Sequence, residues 1–185
     1  MQEITTTMKG NHKFIRLDTK ALIGAVFLGL VFVLVQQVAH RIDTMINPSC
    51  VIIGGVTWAI FTGLVVLFFG QPAGLITAEV QALIAVASGL SPFAPFFIFA
   101  NGLGSLAFSL VAWKLSMDKW SHHLFAQIAC NVTGNICVAI GLSVLLHLPL
   151  PVIIVSSTIS TLAGIVGGTI FTRSIYKNVK KSGVI

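Results

Sequence analysis

One acidic residue, Glu79, lies inside a long apolar stretch of sequence where a charge is costly. Between Thr44 and Trp113 it is the only Asp, Glu, Lys or Arg residue. A carboxylate at the centre of a membrane helix costs about 2.5–3.5 kcal/mol on insertion scales. We therefore expect Glu79 either to accept hydrogen bonds from a polar or cationic ligand in an enclosed cavity or to be a protonated structural side chain.

Carboxamide side chains supply a second set of hydrogen-bonding groups. Asn131 and Asn135 are spaced i, i+4 and share one helix face. Asn101 falls near the middle of another apolar run, and Gln37 lies toward the end of the first. Pairing between helices is the plainer interpretation of each amide, because an unpaired amide is costly in lipid. Several amides together with one acid favour a polar pocket, in which Trp58 supplies an apolar wall.

The sequence has no motif typical of ATP hydrolysis or of a metal centre. It lacks G-x-x-x-x-G-K-[ST] and H-E-x-x-H, and its three cysteines have no metal-ligand spacing. We expect no cofactor and no metal. If the chain moves a solute, the energy is expected to come from another protein.

The composition places these polar residues in membrane helices. The chain has 185 residues, of which 56% are apolar and 9% are charged, whereas a soluble domain has roughly a quarter charged residues. This shortage of charge excludes a soluble enzyme. It also argues against a nucleic-acid partner, despite the net charge of +6. We therefore predict a polytopic membrane protein in contact with lipid.

Charge-free runs and the Gly and Pro residues between them predict six transmembrane helices in an all-α membrane protein. The single domain covers residues 1–185, with tails at 1–17 and 178–185. All 11 Lys and Arg residues except Arg41 fall on the side of the two termini. The positive-inside rule therefore makes both termini cytoplasmic. The predicted helices cover residues 18–43, 48–69, 72–90, 93–116, 121–146 and 151–177.

Small residues recur every four positions on the first predicted helix, at Ala21, Ala25 and Gly29. Such a stripe lets two membrane helices approach closely. It is consistent with packing inside the chain. It would also suit docking of a partner, which a protein without its own ATPase would need.

Together these features resemble the S component, the membrane-embedded substrate-binding subunit of energy-coupling factor (ECF) vitamin importers. The A-x-x-x-A stripe is present as Ala21-Leu22-Ile23-Gly24-Ala25. The middle of the chain is similar to thiamine-type S components of the YkoE kind. The residues that carry this similarity are Trp58, Pro72, Ala73, Gly74, Glu79, Gly89, Pro92, the run Asn101-Gly102-Leu103-Gly104, and Trp113-Lys114.

The resemblance implies a multi-pass protein of the bacterial plasma membrane that binds a vitamin from outside. Thiamine or its pyrimidine precursor is the expected ligand, and another vitamin such as cobalamin is the alternative. The stripe would dock a transmembrane coupling subunit (T component) that works with two ATPase subunits. The implied ligand-binding residues are Glu79, Asn101, Asn131, Asn135, Trp58 and Gln37.

Two other classes of function stay open at this point. A small intramembrane enzyme could use Glu79 as an acid or base, although the spans hold no second acid and no nucleophile–base pair. A scaffold subunit would bind no ligand at all. A small molecule that purifies with the protein would separate the S component from the scaffold, and its turnover would indicate the enzyme.

Overall fold

A computed structural model describes residues 14–47, 50–91 and 94–183 of the chain. This part contains six α-helices and no β-strand beyond one isolated bridge, so the predicted all-helical class is confirmed there. Pro92 and residues 1–13 of the predicted N-terminal tail lie outside the described residues. The helices are α1 (Thr19–Ile46), α2 (Ile53–Phe69), α3 (Ala73–Ala87), α4 (Pro95–Lys114), α5 (Trp120–Leu146) and α6 (Leu150–Lys181).

Two helices extend beyond their predicted ends. α1 continues past residue 43 because the N–H of Asn47 still donates to the carbonyl oxygen of Asp43, at 2.7 Å. α6 continues to Lys181, so the first four residues of the predicted tail 178–185 are helical. There Lys180 pairs with Asp118 at 3.1 Å, and this hydrogen bond raises the pKa of Lys180 above its usual range.

Four of the helices, α1, α4, α5 and α6, are long and apolar enough to cross a membrane. Their outward faces carry large apolar side chains, as on α1, where Phe27 is 64% exposed and Leu34 69% exposed. Apolar surface of this extent suits lipid rather than water. The chain is therefore a membrane protein. α2 and α3 are also apolar but have only 17 and 15 residues.

Successive helices run in opposite directions, and α2 lies at the centre in contact with the other five. Side-chain contacts give the directions. The start of α1 meets the start of α3, since Thr77 donates to the carbonyl oxygen of Ala25 at 2.7 Å. The late half of α1 meets the start of α2, since Gln36 donates to the carbonyl oxygen of Gly54 at 2.9 Å. The start of α1 and the end of α6 therefore lie at one end of the bundle.

The small-residue stripe of α1 is buried inside the chain, where it packs against α3. Ala21 and Ala25 are 0% exposed, and Gly29 lies against Val80 and Thr77 of α3. The absence of bulky side chains lets the α3 backbone approach α1 closely. In this conformation Ala21, Ala25 and Gly29 offer no surface to a coupling subunit.

Candidate ligand-binding cavity

A cavity opens at the end of the bundle opposite the termini. Its walls come from the later halves of α1, α3 and α5 and the early halves of α2, α4 and α6. The cavity has a volume of about 60 Å³ and is partly open to the outside. The polar or partly polar side chains that line it are Gln36, His40, Trp58, Gln81, Asn101, Asn135, Ser156, Ser157 and Ser160.

Three of the predicted ligand-binding residues line this cavity: Trp58, Asn101 and Asn135. The Asn101 amide is held by α3, because its Nδ2 donates to Gln81 Oε1 at 2.6 Å and to the carbonyl oxygen of Ala78 at 3.2 Å. Asn135 Nδ2 donates one turn back along α5, to the carbonyl oxygen of Asn131 at 2.9 Å. The cavity therefore gathers predicted residues from three different helices.

Glu79 and Gln37, two of the predicted ligand-binding residues, do not line the cavity. Glu79 is half-buried, with its carboxylate beside Gly102 of α4. Gln81, two residues or about 200° further around α3, faces the cavity instead. Gln37 Nε2 donates to Ser88 Oγ at 3.1 Å on the outer side of the bundle, whereas its neighbour Gln36 points inward.

Asn131 is also outside the cavity wall and belongs to a buried amide network beneath it. Its Nδ2 donates to the carbonyl oxygen and Oε1 of Gln127, at 2.9 and 3.0 Å. Gln127 Nε2 in turn donates to the carbonyl oxygen of Ala59 and to Thr172 Oγ1, at 3.0 and 3.2 Å. These bonds connect α5 with α2 and α6, so Asn131 pairs helices rather than lining the cavity.

Sequence reasoning missed Asp43, whose carboxylate holds the start of α2. Oδ1 accepts the N–H of Ile53 at 2.8 Å, and Oδ2 accepts the N–H of Gly54 at 2.7 Å. The side chain is 4% exposed. A carboxylate is favourable at this position, because the first N–H groups of a helix lack partners and carry partial positive charge. Asp43 thereby positions the first turns of α2, which supply Trp58 to the cavity.

Aromatic rings form two sides of the cavity. His40 stacks on Phe97, with ring centroids 5.5 Å apart and planes inclined by 30°. Trp58 fits into a slot between α4 and α5 that exists because Gly104 and Gly134 have no side chains. The indole is 9% exposed, and its Nε1 has no hydrogen-bond partner among the described residues.

Three residues that line the cavity also carry buried polar atoms without a partner. Trp58 Nε1, Gln36 Oε1 and Ser157 Oγ are all buried without a hydrogen-bond partner in the described part of the chain. Buried polar atoms are normally paired, because an unpaired one costs about 1–3 kcal/mol. These three atoms have almost no accessible surface, so the groups that the cavity offers a ligand are its other amide, hydroxyl and ring atoms. No cluster of His, Cys, Asp and Glu suited to a metal ion occurs among the described residues.

No family model, no curated protein and no solved structure matches the chain. The functional assignment therefore depends on the cavity and on the residues that line it.

Proposed function

We propose that the chain is the substrate-binding S component of an ATP-driven ECF-type vitamin importer in the bacterial plasma membrane. One observation carries the proposal: residues of all six helices line one cavity, and its largely apolar wall holds amide, hydroxyl and aromatic side chains. Such a cavity suits capture of a small molecule. A T component and two ATPase subunits would supply the energy for import.

The proposal includes a topology of six membrane spans with cytoplasmic termini. It is supported by the Lys and Arg residues of the described part of the chain, which except for Arg41 lie toward the end that holds the start of α1 and the end of α6. α2, although only 17 residues long, is at the centre and is covered by the other helices. With this topology the cavity faces the outside of the cell, where an importer meets its substrate.

A cysteine at residue 182 should be inaccessible from outside intact cells. In a background without the three native cysteines, we expect Ser182→Cys to react with a membrane-impermeant maleimide only after permeabilisation. Met45→Cys is the matched control, because Met45 is 86% exposed at the cavity end of α1. It should react in intact cells. Reaction of Ser182→Cys from outside would overturn the proposed orientation.

The proposed ligand is thiamine or its pyrimidine precursor. The aromatic walls and the amides supply both ring contacts and hydrogen bonds for a small heterocycle. A corrinoid is far larger than either of these compounds, and the cavity has a volume of only about 60 Å³. Cobalamin is therefore the less favoured vitamin.

Ligand binding can be tested with the purified protein in detergent. Thiamine, its pyrimidine precursor and cobalamin would each be titrated, and thermal unfolding would be followed. A ligand at one hundred times its Kd should stabilise the protein by about 2.7 kcal/mol. We expect thiamine or its pyrimidine precursor to stabilise the protein in this way. We expect Asn135→Leu to weaken the binding of that compound by about tenfold or more.

Glu79→Gln is the control for this experiment, because Glu79 lies outside the cavity wall. We expect it to change the affinity by less than about twofold, well below the effect of losing one hydrogen bond to a charged group. If none of the three vitamins stabilises the protein and no small molecule purifies with it, the proposed function is wrong.

A further inference from the structure

We propose that the chain binds the headgroup of an anionic phospholipid where the start of α5 meets the last turns of α6. The side chains of this site are Lys119, Trp120, Arg173 and Lys177. None of these four residues lines the cavity. The proposal therefore goes beyond vitamin binding, and each of the two can be tested without the other.

The length of α6 places Arg173 at the level of lipid headgroups. α6 begins at Leu150, and at a rise of about 1.5 Å per residue Arg173 lies about 34 Å further along the helix. The hydrocarbon core of a bilayer is about 30 Å thick. Trp120, which contacts Arg173 from α5, is 46% exposed. Because Trp is enriched where hydrocarbon meets water, the two residues mark the membrane surface.

Arg173 is held by an aromatic ring rather than by an acid. Its Cζ atom lies 5.3 Å from the centre of the Trp120 ring, which is a cation–π contact. Within the part of the chain that the structure describes, Arg173 has no acidic partner. A guanidinium can give two parallel N–H groups to one phosphate. Arg173 is therefore positioned and free in charge to bind a phosphate group.

Lys177 and Lys119 add positive charge beside Arg173. Lys177 is one turn further along the same face of α6, between Arg173 and Lys180. Lys180 is already paired, with Asp118 Oδ1 at 3.1 Å. Lys119 and Lys177 are exposed and have no acidic partner among the described residues. Together with Arg173 they form a basic cluster, and such clusters next to a membrane helix attract anionic lipids.

Apolar side chains continue from the basic cluster toward the middle of the membrane. On the face of α6 that carries Arg173, Ile170 is 41% exposed and Val166 is 57% exposed. A phospholipid presents its phosphate and its acyl chains in the same order. A soluble phosphate compound would use the basic cluster alone, so the combination favours a lipid.

Titration of the full-length protein in an uncharged detergent tests the preference for an anionic headgroup. Phosphatidylglycerol is the anionic probe, and phosphatidylcholine with the same acyl chains is the neutral comparison. We expect about tenfold or tighter binding of phosphatidylglycerol, measured by native mass spectrometry. Equal affinities for the two lipids would overturn the proposal.

Single-charge variants test the location of the site. Lys177→Gln should weaken binding of phosphatidylglycerol by about fivefold, and Arg173→Gln by at least as much. Lys20→Gln removes one charge from the same end of the bundle, but Lys20 belongs to α1, which contacts neither α5 nor α6. Its effect should be below about twofold, because exposed charges are screened over such separations. Equal losses from Lys20→Gln and Lys177→Gln would mean that the assigned site is wrong.

Glycerol 3-phosphate distinguishes a lipid from a soluble phosphate compound. It carries a phosphate but no acyl chains, so we expect it to bind at least tenfold more weakly than phosphatidylglycerol. Binding as tight as that of phosphatidylglycerol would assign the basic cluster to a soluble ligand and contradict the lipid. Thermal unfolding in phosphatidylcholine controls for misfolding, and the variants should unfold there at the temperature of the unmodified protein.

Discussion

Replacement of Asp43 by alanine should destabilise the ligand-free protein by about 2–4 kcal/mol. The carboxylate accepts the N–H groups of Ile53 and Gly54, and hydrogen bonds to a charged group are worth about 1.5–3 kcal/mol each. The replacement leaves two donors at the start of α2 without their acceptor. The change can be measured by unfolding in detergent with a chemical denaturant.

Asp118→Ala is the matched control for Asp43→Ala. Asp118 also carries a carboxylate with a short contact, to Lys180 at 3.1 Å, but both side chains are about half exposed. An exposed ion pair contributes only about 0–1 kcal/mol. Asp43→Asn keeps one acceptor oxygen, so its loss of stability should be between those of Asp43→Ala and Asp118→Ala. Equal losses from Asp43→Ala and Asp118→Ala would mean that the Asp43 carboxylate does not hold α2.

Replacement of Gly134 by alanine should weaken ligand binding by about tenfold or more and destabilise the protein by about 1–3 kcal/mol. A Cβ at this position would overlap Trp58 Cη2 and lie 3.2 Å from the carbonyl oxygen of Ala100. The indole cannot move away freely, because Gly104 closes the other side of its slot. We therefore expect the ring to shift into the cavity, which ligand titration and thermal unfolding would detect.

Gly55→Ala tests whether the effect of Gly134→Ala is specific to the Trp58 slot. Gly55 also lines the cavity, but a Cβ there would meet only the carbonyl oxygen of Ser160, at an ordinary 3.5 Å. It should change stability and affinity little. In a Trp58→Phe background the colliding indole atoms are absent, so Gly134→Ala should cost less stability than in the unmodified protein. Equal losses of stability from Gly134→Ala in the two backgrounds would mean that the Trp58 indole does not occupy this slot.

Local properties of the sequence were enough to predict the helical class and part of the cavity. Charge-free runs of about twenty residues specify membrane helices without reference to any neighbour. Trp58, Asn101 and Asn135 were predicted as ligand-binding residues and do line the cavity. Polar or aromatic residues within an apolar run tend to face the interior, because lipid offers them no partner.

Tertiary packing decided which of several similar residues faces the cavity. Gln36 and Gln37 are adjacent amides about 100° apart on α1. Ala25 and Gly29 lie on the same face of α1 as Gln36, and this face packs toward the inside of the bundle. Therefore only Gln36 points inward. The rotation of α3 likewise turns Gln81 toward the cavity and leaves Glu79 beside α4.

Composition and charge spacing are sufficient to specify an apolar bundle of helices with a few buried polar groups. The pairing of those polar groups with one another depends on how the helices pack. Asp43 shows the physical reason: its partners Ile53 and Gly54 are ten and eleven residues away, beyond the reach of any contact within one helix. Such a contact depends on how two helices meet, and helical periodicity carries no information about that.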